Sequence, residues 1–83
     1  NHVVLAHELL HTLGATDKYQ GGTGQPLDPV GLGDPGQSPR YPQRTGEIMA
    51  GRIAVNAREA EIPDRLQQMV VGPVTAHEIG WAK

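Results

Sequence analysis

Apolar and polar positions divide this chain into three zones. Val3, Val4, Leu5, Ala6, Leu9, Leu10 and Leu13 crowd the first fourteen residues, with no proline and no internal glycine. That density predicts a helix over residues 1–14, apolar round most of its circumference and hence a core helix. Gly14 follows where such a helix would stop, because glycine enters the left-handed C′ conformation without a Cβ penalty. Residues 20–46 are polar and hold seven of the eleven glycines and five of the seven prolines. Pro26, Pro29, Pro35, Pro39 and Pro42 forbid a long helix there, and Asp28-Pro29 and Asp34-Pro35-Gly36 are turn signals. So long a loop in a small domain is either functional or disordered; a solvated loop is expected, with a place in a substrate wall as the alternative.

Apolar residues return after position 46. Ile48, Met49, Ile53 and Val55 predict a turn and a short extended segment, and Ile62-Pro63-Asp64 opens a short helix through Leu66, Met69 and Val70. Gly72-Pro73 breaks and restarts the chain. A C-terminal helix of two to three turns then runs to Trp81, starting at Pro73 or capped at Thr75 with Glu78 three residues on. The expected fold is one small domain over 1–83, mainly α with long irregular loops and a C-terminal helical region over 62–83.

The first helix also carries chemistry. Within it stands His7-Glu8-Leu9-Leu10-His11. Helical residues four apart lie about 40° from one another in projection and roughly 6 Å along the axis. His7 and His11 therefore turn both imidazoles toward one point, where a zinc ion would sit about 2.0–2.1 Å from each nitrogen. Glu8 stands beside that point, placed to take a proton from water activated there rather than to ligate. Two histidines and a glutamate on an apolar helix need partners, since an unpaired buried charge is expensive. A sharp turn at Gly14 swings the chain back, so that Asp17 can offer a carboxylate oxygen to the same ion; its bland alternative is a turn-forming aspartate. His2 and His77 lack this spacing, and Asp28 and Asp34 do not form a calcium-loop pattern.

The whole string, HExxHxxGxxD over residues 7–17, resembles the metzincin clan of zinc metallopeptidases. Glu47-Ile48-Met49-Ala50-Gly51 resembles the clan's second mark, the Met-turn. The resemblance implies an active-site helix, with Met49 beneath the histidine ligands without coordinating zinc, and a C-terminal helix packed below the site. Asp17-Lys18-Tyr19 is similar to metallopeptidases whose motif runs on into an aspartate and a nearby tyrosine. Tyr19 and Tyr41 are thereby candidates for contacting substrate or an oxyanion, although simple ring packing is the expectation for each. The clan carries an N-terminal sheet subdomain that this sequence lacks, so a fragment or processed product is expected, with a missing N-terminal segment as a partner. A gluzincin-like site, with Glu47, Glu59, Glu61 or above all Glu78 as third ligand, is the competing arrangement.

Composition bounds the rest. Eighty-three residues with no Phe, one Trp and two Tyr make a thin core; a domain of this size buries only about 60–65% of its unfolded surface. A bound metal would help such a chain. The absence of cysteine removes disulfides, thiolate ligands and the deformylase arrangement that pairs HExxH with a cysteine. Net charge is −2 with no basic run, which argues against nucleic-acid binding, and no stretch has the roughly 20 apolar residues of a membrane span. Two functions follow: zinc-dependent peptide hydrolysis with Glu8 as general base, or a zinc-stabilised binding module without turnover.

Overall fold

A computed structural model describes residues 2–81. Helix α1 (His2–Thr12) opens the chain. There follow strands β1 (Gly46–Glu47), β2 (Ile53–Ala54) and β3 (Ala60–Glu61), a 3-10 turn at Leu66–Gln68, strand β4 (Met69–Val70) and helix α2 (Pro73–Glu78). Strand β1 pairs in parallel with β4, with Gly46 opposite Met69, and β2 pairs antiparallel with β3, with Ile53 opposite Glu61. Two helices of 11 and 6 residues and two small two-stranded sheets replace the mainly helical fold expected from the sequence.

Each difference has a physical cause. The segment from Ile62 to Val70 does not form the expected helix, because Met69 and Val70 extend to pair with β1 and the Val70 carbonyl accepts the Ile48 N–H at 2.8 Å. What remains is the 3-10 turn, closed by the Gln68 side chain, whose oxygen accepts the Asp64 and Arg65 N–H groups. Tertiary pairing outweighs local helical preference there. Helix α2 begins at Pro73, one of the two expected starts, with Gly72 as N-cap. It ends at Glu78 rather than Trp81, since Gly80 turns the chain at φ +84°. Residues 1, 82 and 83, the outer ends of the first and last expected elements, lie outside the described residues.

Helix α1 ends as the sequence predicts. Gly14 takes φ +105°, and the Leu10 carbonyl accepts N–H groups from both Leu13 and Ala15. Its burial is not as predicted. Only Val3 and Leu10 are buried, whereas Leu5, Leu9 and Leu13 are 68, 60 and 53% exposed, so the helix lies on the surface with one apolar side turned outward. The inner side packs on Ala15, Ile48 and Met49, with Ala6, Met69, Val71 and Ile79 around them.

The polar zone over 20–46 folds back on the body. Its turn at 18–27 closes through Leu27 N–H to Lys18 carbonyl (2.8 Å) and Gln20 N–H to Gln25 carbonyl (2.9 Å). Gln43 is buried; its amide accepts the Asp34 N–H and donates to the Asp34 and Arg40 carbonyls. The radius of gyration, 11.6 Å, matches the roughly 11.8 Å of a compact chain this long, so the zone is packed rather than splayed.

Glu47 joins the two halves. Its side chain is fully buried and receives the Met49 N–H at Oε1, with the Gly72 N–H (3.2 Å) and the Thr75 hydroxyl (2.8 Å) at Oε2. Glu47→Ala would strand three donors, two of them backbone, and leave a cavity. The expected loss is about 3 kcal/mol in urea unfolding, against about 1 kcal/mol for Thr75→Val. A Glu47→Ala chain as stable as wild type would contradict this role.

Candidate metal centre

Helix α1 presents His7 and His11 one turn apart, and a different backbone carbonyl fixes each ring. His7 Nδ1 lies 2.9 Å from the Ile48 carbonyl oxygen, and His11 Nδ1 lies 2.9 Å from that of Ala15. A carbonyl oxygen only accepts, so Nδ1 is the donor in both rings. In the neutral imidazole, Nε2 then keeps a bare lone pair.

Those lone pairs converge. The two Nε2 atoms are 3.0 Å apart, and Asp17 Oδ1 lies 3.1 Å from His7 Nε2 and 2.8 Å from His11 Nε2. The rings meet edge to face, with centroids 4.7 Å apart and planes at 79°. Three acceptors this close repel one another unless positive charge lies among them. Protons on the Nε2 atoms, donated to Asp17, relieve that repulsion at the two carboxylate edges, and a single cation would do so at all three corners. The edges are slightly shorter than the roughly 3.3 Å separating two donors that each sit 2.0–2.1 Å from a tetrahedral ion. The donor set, two imidazoles and a carboxylate with outer carbonyls holding the rings, suits a borderline-soft divalent ion such as zinc.

Asp17 owes its position to its neighbours. Before it, Thr16 donates its N–H to Glu78 Oε1 (3.0 Å) and its hydroxyl to Glu78 Oε2 (2.7 Å). After it, Lys18 donates its N–H to the Met49 carbonyl (2.9 Å). The Lys18 ammonium is almost wholly buried and donates to Glu78 Oε1, the Thr16 carbonyl and Thr16 Oγ1 at 2.6–2.7 Å. The Lys18 hydrogen bond, followed by those from Thr16, pulls the Glu78 carboxyl from 4.5 down to about 2. Glu78 thus fastens the segment carrying Asp17 to the end of α2.

The other candidate carboxylates are bonded elsewhere or exposed. Glu47 is the buried joint described above, Glu59 accepts from the Asn56 amide at 3.3 Å, and Glu61 lies exposed on β3. Met49 is fully buried in the cluster beneath α1. Its turn serves the site through backbone: the Ile48 carbonyl holds His7 and the Met49 carbonyl holds Lys18.

Glu8 is exposed, and one of its carboxylate oxygens lies within 4.8 Å of a ligand nitrogen on each histidine. It opens onto a cleft of about 320 Å³ bounded by Val3, His7, Glu8, Tyr19, Ala50 and Arg52. Tyr19 is half-buried, its ring centroid 6.5 Å from that of His7. Tyr41 is not among the residues lining the cleft; its hydroxyl donates to Asp28 at 3.4 Å, beside the Arg40–Asp28 ion pair. Neither the Lys18–Glu78 fastening nor Arg52 was found by sequence reasoning. The first joins residues 60 apart in the chain, with no local signal at either end; the second was detectable only as a cation directly after the Met-turn string.

Glu78 gives this centre an acid dependence. Its folded pKa lies below its ordinary value, so its contribution to stability is complete above about 4.5 and is lost as pH falls toward about 2. In metal-free protein, the stability advantage of wild type over Glu78→Gln should shrink across that window in urea unfolding. An advantage independent of pH would contradict the assignment. The chain matches no protein-family model, no curated protein and no solved structure, so the metzincin resemblance rests on the motif residues alone.

Proposed function

We propose that this chain carries the catalytic centre of a zinc-dependent peptide-bond hydrolase, with the ion held by His7, His11 and Asp17. One observation carries the reading. Both Nδ1 donors are committed to carbonyls, which leaves two Nε2 lone pairs and a carboxylate oxygen converging within 3.1 Å. Zinc bound there would act as a Lewis acid, polarising a carbonyl and lowering the pKa of water toward neutrality.

Glu8 supplies the proton transfers. Its carboxylate stands beside the histidine nitrogens and faces the cleft, where it accepts a proton from the attacking water and returns it to the departing amine nitrogen. Tyr19, on the same cleft, would offer a hydrogen bond from its phenolic hydroxyl to the substrate carbonyl oxygen. The carbonyls of Ile48 and Ala15 keep the rings from turning away between turnovers. A carboxylate ligand adds negative charge that a third histidine would not, which moves the activity optimum upward in pH relative to an all-histidine site.

The exposed stripe of Leu5, Leu9 and Leu13 favours a further partner segment over the outer side of α1 in the working protein. A zinc-stabilised binding module without turnover is the second reading. The thin core favours it, since an ion at this triangle would tie α1 to the 15–18 segment.

Elemental analysis is expected to find about one zinc per wild-type chain, and much less in Asp17→Ala and His11→Ala. Glu8→Gln should keep the metal and lower peptide hydrolysis about 10²–10⁴-fold. Zinc retained at full affinity in Asp17→Ala would move the third ligand elsewhere. Full activity in Glu8→Gln would remove the general base, and stoichiometric zinc without hydrolysis by wild type would favour the binding module.

A further inference from the structure

Arg52 is the cation of the cleft. Its guanidinium lies over Gly24, where a Cβ would fall 2.8 Å from Cζ and Nη1 and 3.0 Å from Nη2. Gly24 turns the 18–27 segment at φ +74°, so glycine serves twice there: it makes the turn and leaves the guanidinium its space. Arg52 directly follows the turn whose carbonyls hold His7 and Lys18, so its backbone is set close in sequence to the groups that orient His7.

The contrast with Arg40 is informative. Arg40 is paired to Asp28 through both Nε and Nη2. Arg52 has no side-chain hydrogen bond or ion pair among the described residues, although it is half-buried and lines the same cleft as His7, Glu8 and Tyr19. The carboxylate that lines the same cleft, Glu8, is the one that the hydrolytic reading needs for proton transfer. A partly shielded guanidinium with its planar fork uncommitted suits a bidentate carboxylate partner.

We infer that Arg52 forms a carboxylate subsite of the cleft, so that the preferred peptide carries an acidic side chain or a free C-terminus near the bond positioned at His7 and Glu8. The inference rests on the cleft being the substrate cleft, but its binding step does not require the ion. A water-exposed charge-assisted contact of this kind is expected to be worth about tenfold in affinity and to weaken with salt.

The test uses three short N-acetylated peptides: one with an internal glutamate and an amidated end, one with glutamine and an amidated end, and one with glutamine and a free acid end. Each is titrated into 15N-labelled chain, with and without added zinc, following amide shifts at Tyr19, Gly24, Gly51 and Arg52. Wild type should bind at least one carboxylate peptide about tenfold more tightly than the neutral one, with or without zinc. Which of the two binds identifies side chain or terminus as the source. Arg52→Gln should lose the preference while keeping its affinity for the neutral peptide, and Arg52→Lys should recover part of it. Equal binding of all three peptides, no binding of any, or a preference that survives Arg52→Gln would overturn the subsite. A carboxylate effect that appears only with zinc and persists in Arg52→Gln would also overturn it, by assigning the contact to the ion. Failure of the metal reading would register separately, as unchanged spectra on adding zinc alone.

Discussion

The turn after β1 is held by a side chain and spends its backbone on the site. Glu47 folds back to accept the Met49 N–H while its other oxygen takes the Gly72 N–H and the Thr75 hydroxyl. This shape frees two successive carbonyls to point outward: Ile48 takes the His7 ring, and Met49 takes the backbone of Lys18, next to Asp17. One buried carboxyl thereby connects α2, the Met-containing turn and two corners of the lone-pair triangle. Because the acceptor groups and their donors are buried together, none can exchange its partner for water without a desolvation cost.

The small size of the domain makes this economy necessary. Val3, Leu10, Ala15, Ile48 and Met49 form the cluster beneath α1. Burying Met49 is worth about 1.5–3 kcal/mol, but few other large side chains add to it. Polar joints therefore share the work of holding distant segments: Glu47 at one end of α2, and Glu78 with Lys18 and Thr16 at the other. The second joint ties down the short segment that must return from Gly14 to the histidines. Core and site are two sides of the same few residues.

The glycine- and proline-rich zone has a similar double character. Much of it is exposed, in keeping with a solvated loop, yet it is pinned by Gln43 and by the ladder between Lys18–Gln20 and Gln25–Leu27. That ladder brings Gly24 to Arg52 and sets Tyr19 on the cleft wall. The loop thus shapes the opening above Glu8.

Local chemistry was legible in the sequence wherever the helical repeat or a glycine dictates it. The four-residue spacing of His7 and His11 and the stop at Gly14 follow from backbone geometry, and the structure brings Asp17 to the same histidines through contacts of its neighbours with Glu78 and Met49. The long-range partners were not legible. Glu78 read as a spare ligand because nothing near it in sequence shows that Lys18 will reach it, and Met69-Val70 read as helix because its strand partner lies 23 residues earlier. The apolar density of α1 implied burial on every side, yet a one-dimensional pattern cannot say how many neighbours arrive to cover it. The sequence alone determined that His7 and His11 face one point and that their helix stops at Gly14, since helix pitch and a glycine turn are local properties of the backbone. Tertiary structure decided which carbonyls orient the rings, which carboxylates become struts and where the cleft opens, because each depends on contacts between segments that only folding brings together.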